Sequence, residues 1–120
     1  MSNSTLVGPD LDREVARLRG MALTPWVGYP MDDVYSPSSD WEHCGEIMSD
    51  HNMATEHCLD SRGQRVRGDR AARAKIPYIN GFFNNQWVYG PTVQVAVCRC
   101  FVAFAQEREE FNSKQEELFT

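Results

Sequence analysis

The sequence predicts an α+β fold: three helices packed on a small, mainly antiparallel sheet of two to four strands, in a single domain. Three observations carry this expectation. The chain has 120 residues, enough for one core and too few for two independent ones. Residues 93–105 are apolar around most of a helical circumference, so that helix must be buried on most sides. The preceding stretch breaks instead into short strand-like runs separated by turn residues.

Residues 1–9 are polar and punctuated by Gly and Pro, and read as a flexible arm ahead of a domain spanning 10–106. Residues 10–19 read as the first helix. Leu11, Val15 and Leu18 share one face, Asp10 and Asp12 suit its positive end, and Gly20 is the expected stop. Pro25, Pro30 and Pro37 exclude a long helix from residues 21–38, where Trp26, Tyr29 and Tyr35 are interleaved. Ser39 as N-cap with Glu42 three residues on forms a capping box for a second helix to about Asp50, with Trp41, Cys44, Met48 and His51 near one face. Residues 53–59 suit a strand, 60–63 a turn, and 64–67 a short return strand. Residues 69–75 read as a helical turn or a mobile basic insertion. The aromatics Tyr78, Phe82, Phe83, Trp87 and Tyr89 are expected to form much of the core, with Asn84-Asn85 as a hairpin tip and 86–89 as a strand. Gly90-Pro91-Thr92 then opens the third helix. The tail, 107–120, is polar and acidic, and is expected to continue that helix briefly and fray.

Charge narrows the functional classes. There are 12 Lys and Arg against 17 Asp and Glu, a net charge of −5. No apolar run reaches the roughly 20 residues of a membrane span, and the N-terminus lacks the basic and apolar regions of an export signal. The average conceals an asymmetry. Residues 61–75 carry Arg62, Arg65, Arg67, Arg70, Arg73 and Lys75 against Asp69 alone, so this segment is +5 and the remainder −10. Such a segment is either a solvated basic loop or a site for an anion or an acidic partner surface. A general nucleic-acid coat is disfavoured, although local binding through the arginines stays open.

Cys44, Cys58, Cys98 and Cys100 are expected to be reduced buried thiols. The tripeptides Glu42-His43-Cys44 and Glu56-His57-Cys58, with His51 between them, carry zinc-ligand types. Neither has the spacing of a structural zinc site, so no metal and no cofactor is expected. A hydrolase using His43 or His57 with Asp40 or Glu56 would be the enzymatic reading. Yet no nucleophile elbow, P-loop, HExxH or dinucleotide fingerprint is present, so no catalytic residue is assigned.

Three blocks carry a resemblance. They are Leu11-Asp12-x-x-Val15-Ala16 with Gly20; Tyr35-Ser36-Pro37-Ser38-Ser39-Asp40-Trp41 with Cys44-Gly45 and Ile47; and Trp87, Tyr89-Gly90-Pro91-Thr92, Ala96 and Arg99-Cys100-Phe101-Val102-Ala103. In that order, over roughly residues 10–105, the chain resembles a small phage protein family of unknown function that includes the NinX proteins. The resemblance implies a phage or prophage accessory protein acting in the host bacterial cytoplasm. The chain departs from the usual pattern at Glu46, at Val93-Gln94, and in its longer basic hairpin.

Two of these blocks open helices, where free N–H groups attract anions, and each holds aromatics able to stack on a base. The expected ligand-binding set is therefore Tyr35, Ser38, Ser39, Trp41, Trp87, Tyr89, Thr92 and Arg99. Arg99 interrupts an apolar helix and needs an acidic or anionic partner. The favoured function is non-enzymatic binding of a small anionic, nucleotide-type ligand, for instance to sequester a host defence signal, by a homo-oligomer. The alternative is an inhibitor or adaptor that docks on a host protein through Arg62, Arg65, Arg67, Arg70, Arg73 and Lys75.

Overall fold

A computed structural model describes residues 6–20, 35–77 and 87–119. Among these residues the chain forms three helices and a three-stranded antiparallel sheet, as the sequence predicts. The readings that fall on 21–34 and 78–86, including Trp26, Tyr29, Phe82, Phe83 and the Asn84-Asn85 tip, lie outside the described residues.

Helix α1 (Gly8–Leu18) buries Leu11, Val15 and Ala16. It starts two residues earlier than predicted, with Pro9 in its first turn. Leu6 packs against the core, so the described part of the supposed arm is held in place. Helix α2 (Trp41–His51) buries Cys44 and Ile47. Its N-cap is Asp40, not Ser39: Asp40 Oδ1 accepts from the Glu42 N–H at 2.8 Å and the His43 N–H at 3.4 Å. The amides of Ser39 and Asp40 both donate to Ser36 O, at 3.0 and 2.7 Å, a turn that delays the helix by one residue. Trp41, the first residue of the helix, lies off the face that buries Cys44 and Ile47 and stands 57% exposed.

Strands β1 (Ala54–His57), β2 (Ala72–Lys75) and β3 (Val88–Gly90) lie in that order. The register pairs Glu56 with Arg73 and Arg73 with Tyr89. Residues 69–75 are therefore neither a helical turn nor a loose insertion: their second half is the central strand. Ala-Arg-Ala-Lys alternates with the two-residue period of a strand. The register buries Ala72 and Ala74 completely and leaves Arg73 and Lys75 half-exposed. Tertiary pairing here overrides the helix propensity of Ala and Arg.

Helix α3 (Val93–Phe119) crosses one face of the sheet and also packs against α1 and α2. Every residue from 95 to 102 is buried, which answers the all-round apolarity of the sequence. The helix runs to Phe119 rather than fraying after Gln106. Residues 107–119 contain no Gly or Pro and are rich in Glu, Gln, Lys and Arg, so nothing stops it. The described core is mainly aliphatic and thiol: Leu11, Val15, Cys44, Ile47, Val97, Cys98, Cys100 and Val102. Trp87 and Tyr89, expected inside, are half-buried.

Candidate functional site

Because α3 covers one face of the sheet, the alternation of β2 and β3 turns a second set of side chains to the opposite face. Arg73 and Lys75 project from β2; Tyr89, with Trp87 just before its strand, comes from β3. The guanidinium carbon of Arg73 lies 4.1 Å from the Trp87 ring centroid, and Lys75 Nζ lies 4.6 Å from it. Arg70, just before β2, stacks on Tyr89 at 4.0 Å. Arg73 also donates to the Tyr89 hydroxyl at 3.5 Å and pairs with Glu56. The Tyr89 hydroxyl first, and Glu56 second, hold the Arg73 guanidinium more firmly charged than an isolated arginine. Cation–π pairs on a face of this kind keep the charges near the surface and orient flat guanidinium planes outward.

A cleft of about 300 Å³ opens beside these groups. Arg70, Arg73 and Tyr89 line one side, Leu59 and Val66 give it an apolar side, and Cys58 and Glu56 complete it. In the hairpin that supplies the apolar side, the turn at 60–63 forms as predicted, but residues 64–67 are not the expected return strand: they keep a single bridge, and β1 pairs with β2 instead. Asp60 Oδ1 accepts from the Arg62 and Gln64 amides at 2.8 and 3.0 Å, and Leu59 bridges Arg65. A second recess on the hairpin's other flank is lined by His57, Arg65, Val66 and Arg67 among others. Arg62, Arg65, Arg67 and Arg70 are exposed, and none forms an ion pair with a described carboxylate.

The remaining residues of the expected ligand set are placed elsewhere. Tyr35 is buried against the His43 ring, at 5.0 Å between centroids, and burial pushes its hydroxyl up to about 12. Ser38 is buried, and both its amide and its hydroxyl donate to Asp12, at 2.8 and 3.0 Å. Thr92 Oγ1 accepts from the Val95 amide at 3.2 Å, a capping bond at the start of α3. Ser39 is exposed and its hydroxyl reaches Ser36 O at 3.5 Å. Trp41 stands exposed at the start of α2. None of these five lines the cleft beside Tyr89.

Arg99 faces inward, its side chain only 2% exposed. The partner it requires is supplied internally. It donates to Asp69 Oδ1 at 3.0 Å, to Leu6 O at 3.0 Å and to Tyr89 O at 3.1 Å. One guanidinium thus ties together the N-terminal segment, the basic hairpin and the edge strand. The structure separates what the sequence joined and joins what it separated. Three of the six residues of the supposed partner-binding segment, Arg70, Arg73 and Lys75, share one surface with two of the eight in the supposed ligand-binding set, Trp87 and Tyr89. Sequence reasoning missed Leu59 and Val66, whose signal was their place across the 60–63 turn, and gave Glu56 only a catalytic reading where the β1–β2 register sets it opposite Arg73.

The cysteines divide in the same way. Burial pushes the thiols of Cys44 and Cys100 up to about 11 and about 12, and raises that of Cys98 further. Cys58 is half-buried and lines the cleft. Among the described residues no group of three His, Cys, Asp or Glu side chains is placed to hold a metal ion. No described helix is long and apolar enough to cross a membrane.

The fold and surface define a small α+β protein with a helix-covered sheet whose other face, which no described element covers, combines aromatic rings and cations. Its sequence matches the family model described as Bacteriophage P22, NinX over residues 3–105, and the chain belongs to that family. No curated protein matches the chain. The blocks that carry the family resemblance now have physical roles. Asp12 of the first binds Ser38 of the second. Gly90 of the third lies against α3, where a Cβ would meet the Ala96 backbone nitrogen at 2.7 Å.

Proposed function

We propose that this phage accessory protein binds a small anionic, nucleotide-type ligand, without chemistry, at the open face of the sheet. The observation that supports the reading is the stacking of Arg70 on Tyr89 and of Arg73 and Lys75 on Trp87 beside a cleft with one apolar wall. A base has a flat face for the rings, the guanidinium planes and Leu59; a phosphate has Arg70, while Arg73 is held by Glu56 and the Tyr89 hydroxyl and reaches an anion only by giving up Glu56. Arg99 is not part of this site, because its side chain is buried, does not line the cleft, and commits Nε and Nη1 to Leu6, Asp69 and Tyr89 inside the fold. A ligand held in this way is withdrawn from its host receptor, so sequestration of a host defence signal in the bacterial cytoplasm is the biological role this reading carries.

Cys58 gives a direct test. In the native protein Cys58 should be the first thiol to react with a maleimide, and all 4 cysteines should react after denaturation. Mono- and dinucleotides should slow the Cys58 reaction in the wild type and not in the Arg70→Ala, Arg73→Ala double variant. An unchanged rate across a nucleotide panel, with no heat in calorimetry, would sink the proposal.

A further inference from the structure

We infer that the open face recognises two successive bases joined by a phosphodiester, so that the ligand is an oligonucleotide rather than a mononucleotide. The inference rests on the nucleotide-binding reading and deepens it. Trp87 and Tyr89 are two positions apart at the edge of an antiparallel sheet, and each carries its own cation. Side chains at i and i+2 share a face and stand about 7 Å apart. That is too far for one base to stack on both rings, and close to the step between neighbouring bases in an extended strand. A mononucleotide would therefore leave one of the two platforms unused.

The charges follow the same geometry. Arg70 sits over Tyr89 and forms no ion pair with a described carboxylate, so a phosphate between two bases lies within its reach; Arg73, over Trp87, adds to it in exchange for its pairing with Glu56. Lys75 extends this row at one end. At the other end Arg65 and Arg67 line the neighbouring recess and have no described carboxylate partner. A sheet with helices on one face and aromatic and basic side chains on the other is a general solution for splayed single-stranded bases. A duplex keeps its bases stacked inward and cannot use the rings. An acidic protein surface would use the arginines and ignore Trp87 and Tyr89.

The test compares five probes against the full-length chain by tryptophan fluorescence and calorimetry: AMP, the linear dinucleotide pApA, a cyclic diadenylate, a dA12 strand and polyglutamate. The linear dinucleotide should bind roughly tenfold tighter than AMP, the gain that one further stacked base supplies. Tyr89→Ala should reduce pApA to the affinity of AMP, whereas Tyr89→Phe, which keeps the ring and guards against a folding artefact, should retain the gain. A further gain for dA12 would support the inference with a strand as the source, and one for the cyclic compound would support it with a small signal as the source. Equal binding of AMP and pApA would overturn the inference and leave the small-ligand reading standing. Polyglutamate competing as well as dA12 would overturn it in favour of an acidic protein partner. If no nucleotide binds, both readings fall together.

Discussion

Asp12 and Ser38 lie 26 positions apart in sequence and meet inside the fold. Their two direct hydrogen bonds fix the turn before α2 against α1. A buried carboxylate that receives an amide and a hydroxyl is stabilising only while both donors are present. Replacing Asp12 by Ala strands the Ser38 amide and hydroxyl, and unfolding in urea should show a loss of about 2–3 kcal/mol. Asp12→Asn keeps an acceptor and should cost less. From sequence alone Asp12 reads as a charge at the helix start, because its helical position is visible and its partner is not. Arg99 differs in degree. Its need for a partner is legible from its place in an apolar helix, but the choice of Asp69 over an external anion belongs to the folded hairpin.

At the scale of elements, the meeting of β3 with α3 sets the tightest tolerance. Gly90 is buried, and a Cβ there would lie 2.7 Å from Ala96 N and 3.1 Å from Ala96 Cα. Its backbone is not in a left-handed conformation, so the requirement is space rather than torsional freedom. Since the obstacle is backbone, Gly90→Ala must push the strand from the helix, and should lower stability by about 1–3 kcal/mol in thermal denaturation. The same contact sets the position of Tyr89 on the opposite face, so the variant should also weaken any ligand held there. α3 was legible as an element because its composition is one-sided, whereas β2 was not. Four residues, two of them Ala, carry little strand propensity, and only pairing on both sides with β1 and β3 makes them the central strand.

At the scale of the molecule, the helical side carries an acid sensitivity. His51, at the end of α2, packs its ring against Phe101 and Phe104 of α3, at 5.2 and 5.5 Å between centroids. Burial lowers its pKa from the ordinary 6.5. Asp50 opposes that shift, and Arg19 and Arg108 add to it. The folded protein therefore holds a neutral imidazole that the unfolded chain would protonate. The stability this contributes is complete above the ordinary value of about 6.5 and is lost as pH falls towards the lower, folded-state value. Urea midpoints measured from pH 7.5 to 5.5 should decline, and His51→Leu should flatten the decline; an equal slope in the variant would assign it to other groups. Charge at this scale is segregated as well. Of the six cations in residues 61–75, Arg73 and Lys75 stand on the sheet and Arg70 beside it, while Arg62, Arg65 and Arg67 are exposed on the hairpin.

Sequence by itself determined the place of the three described helices, the hairpin turn at 60–63, the all-round burial of the last helix and the family. Each follows from local composition or from residues close together in the chain: periodicity, turn chemistry and one-sided apolarity act over a few residues. Only the tertiary structure decided which face each strand residue takes, which acid Arg99 receives, and which candidates share a surface. Those outcomes depend on register, and here the register joins residues from 14 to 21 positions apart. Tyr89 is the clearest case. Its ring is plain in the sequence, but its position outside the core, beneath Arg70 and beside Arg73, exists only once β2 has paired with β3 and α3 has taken the other face.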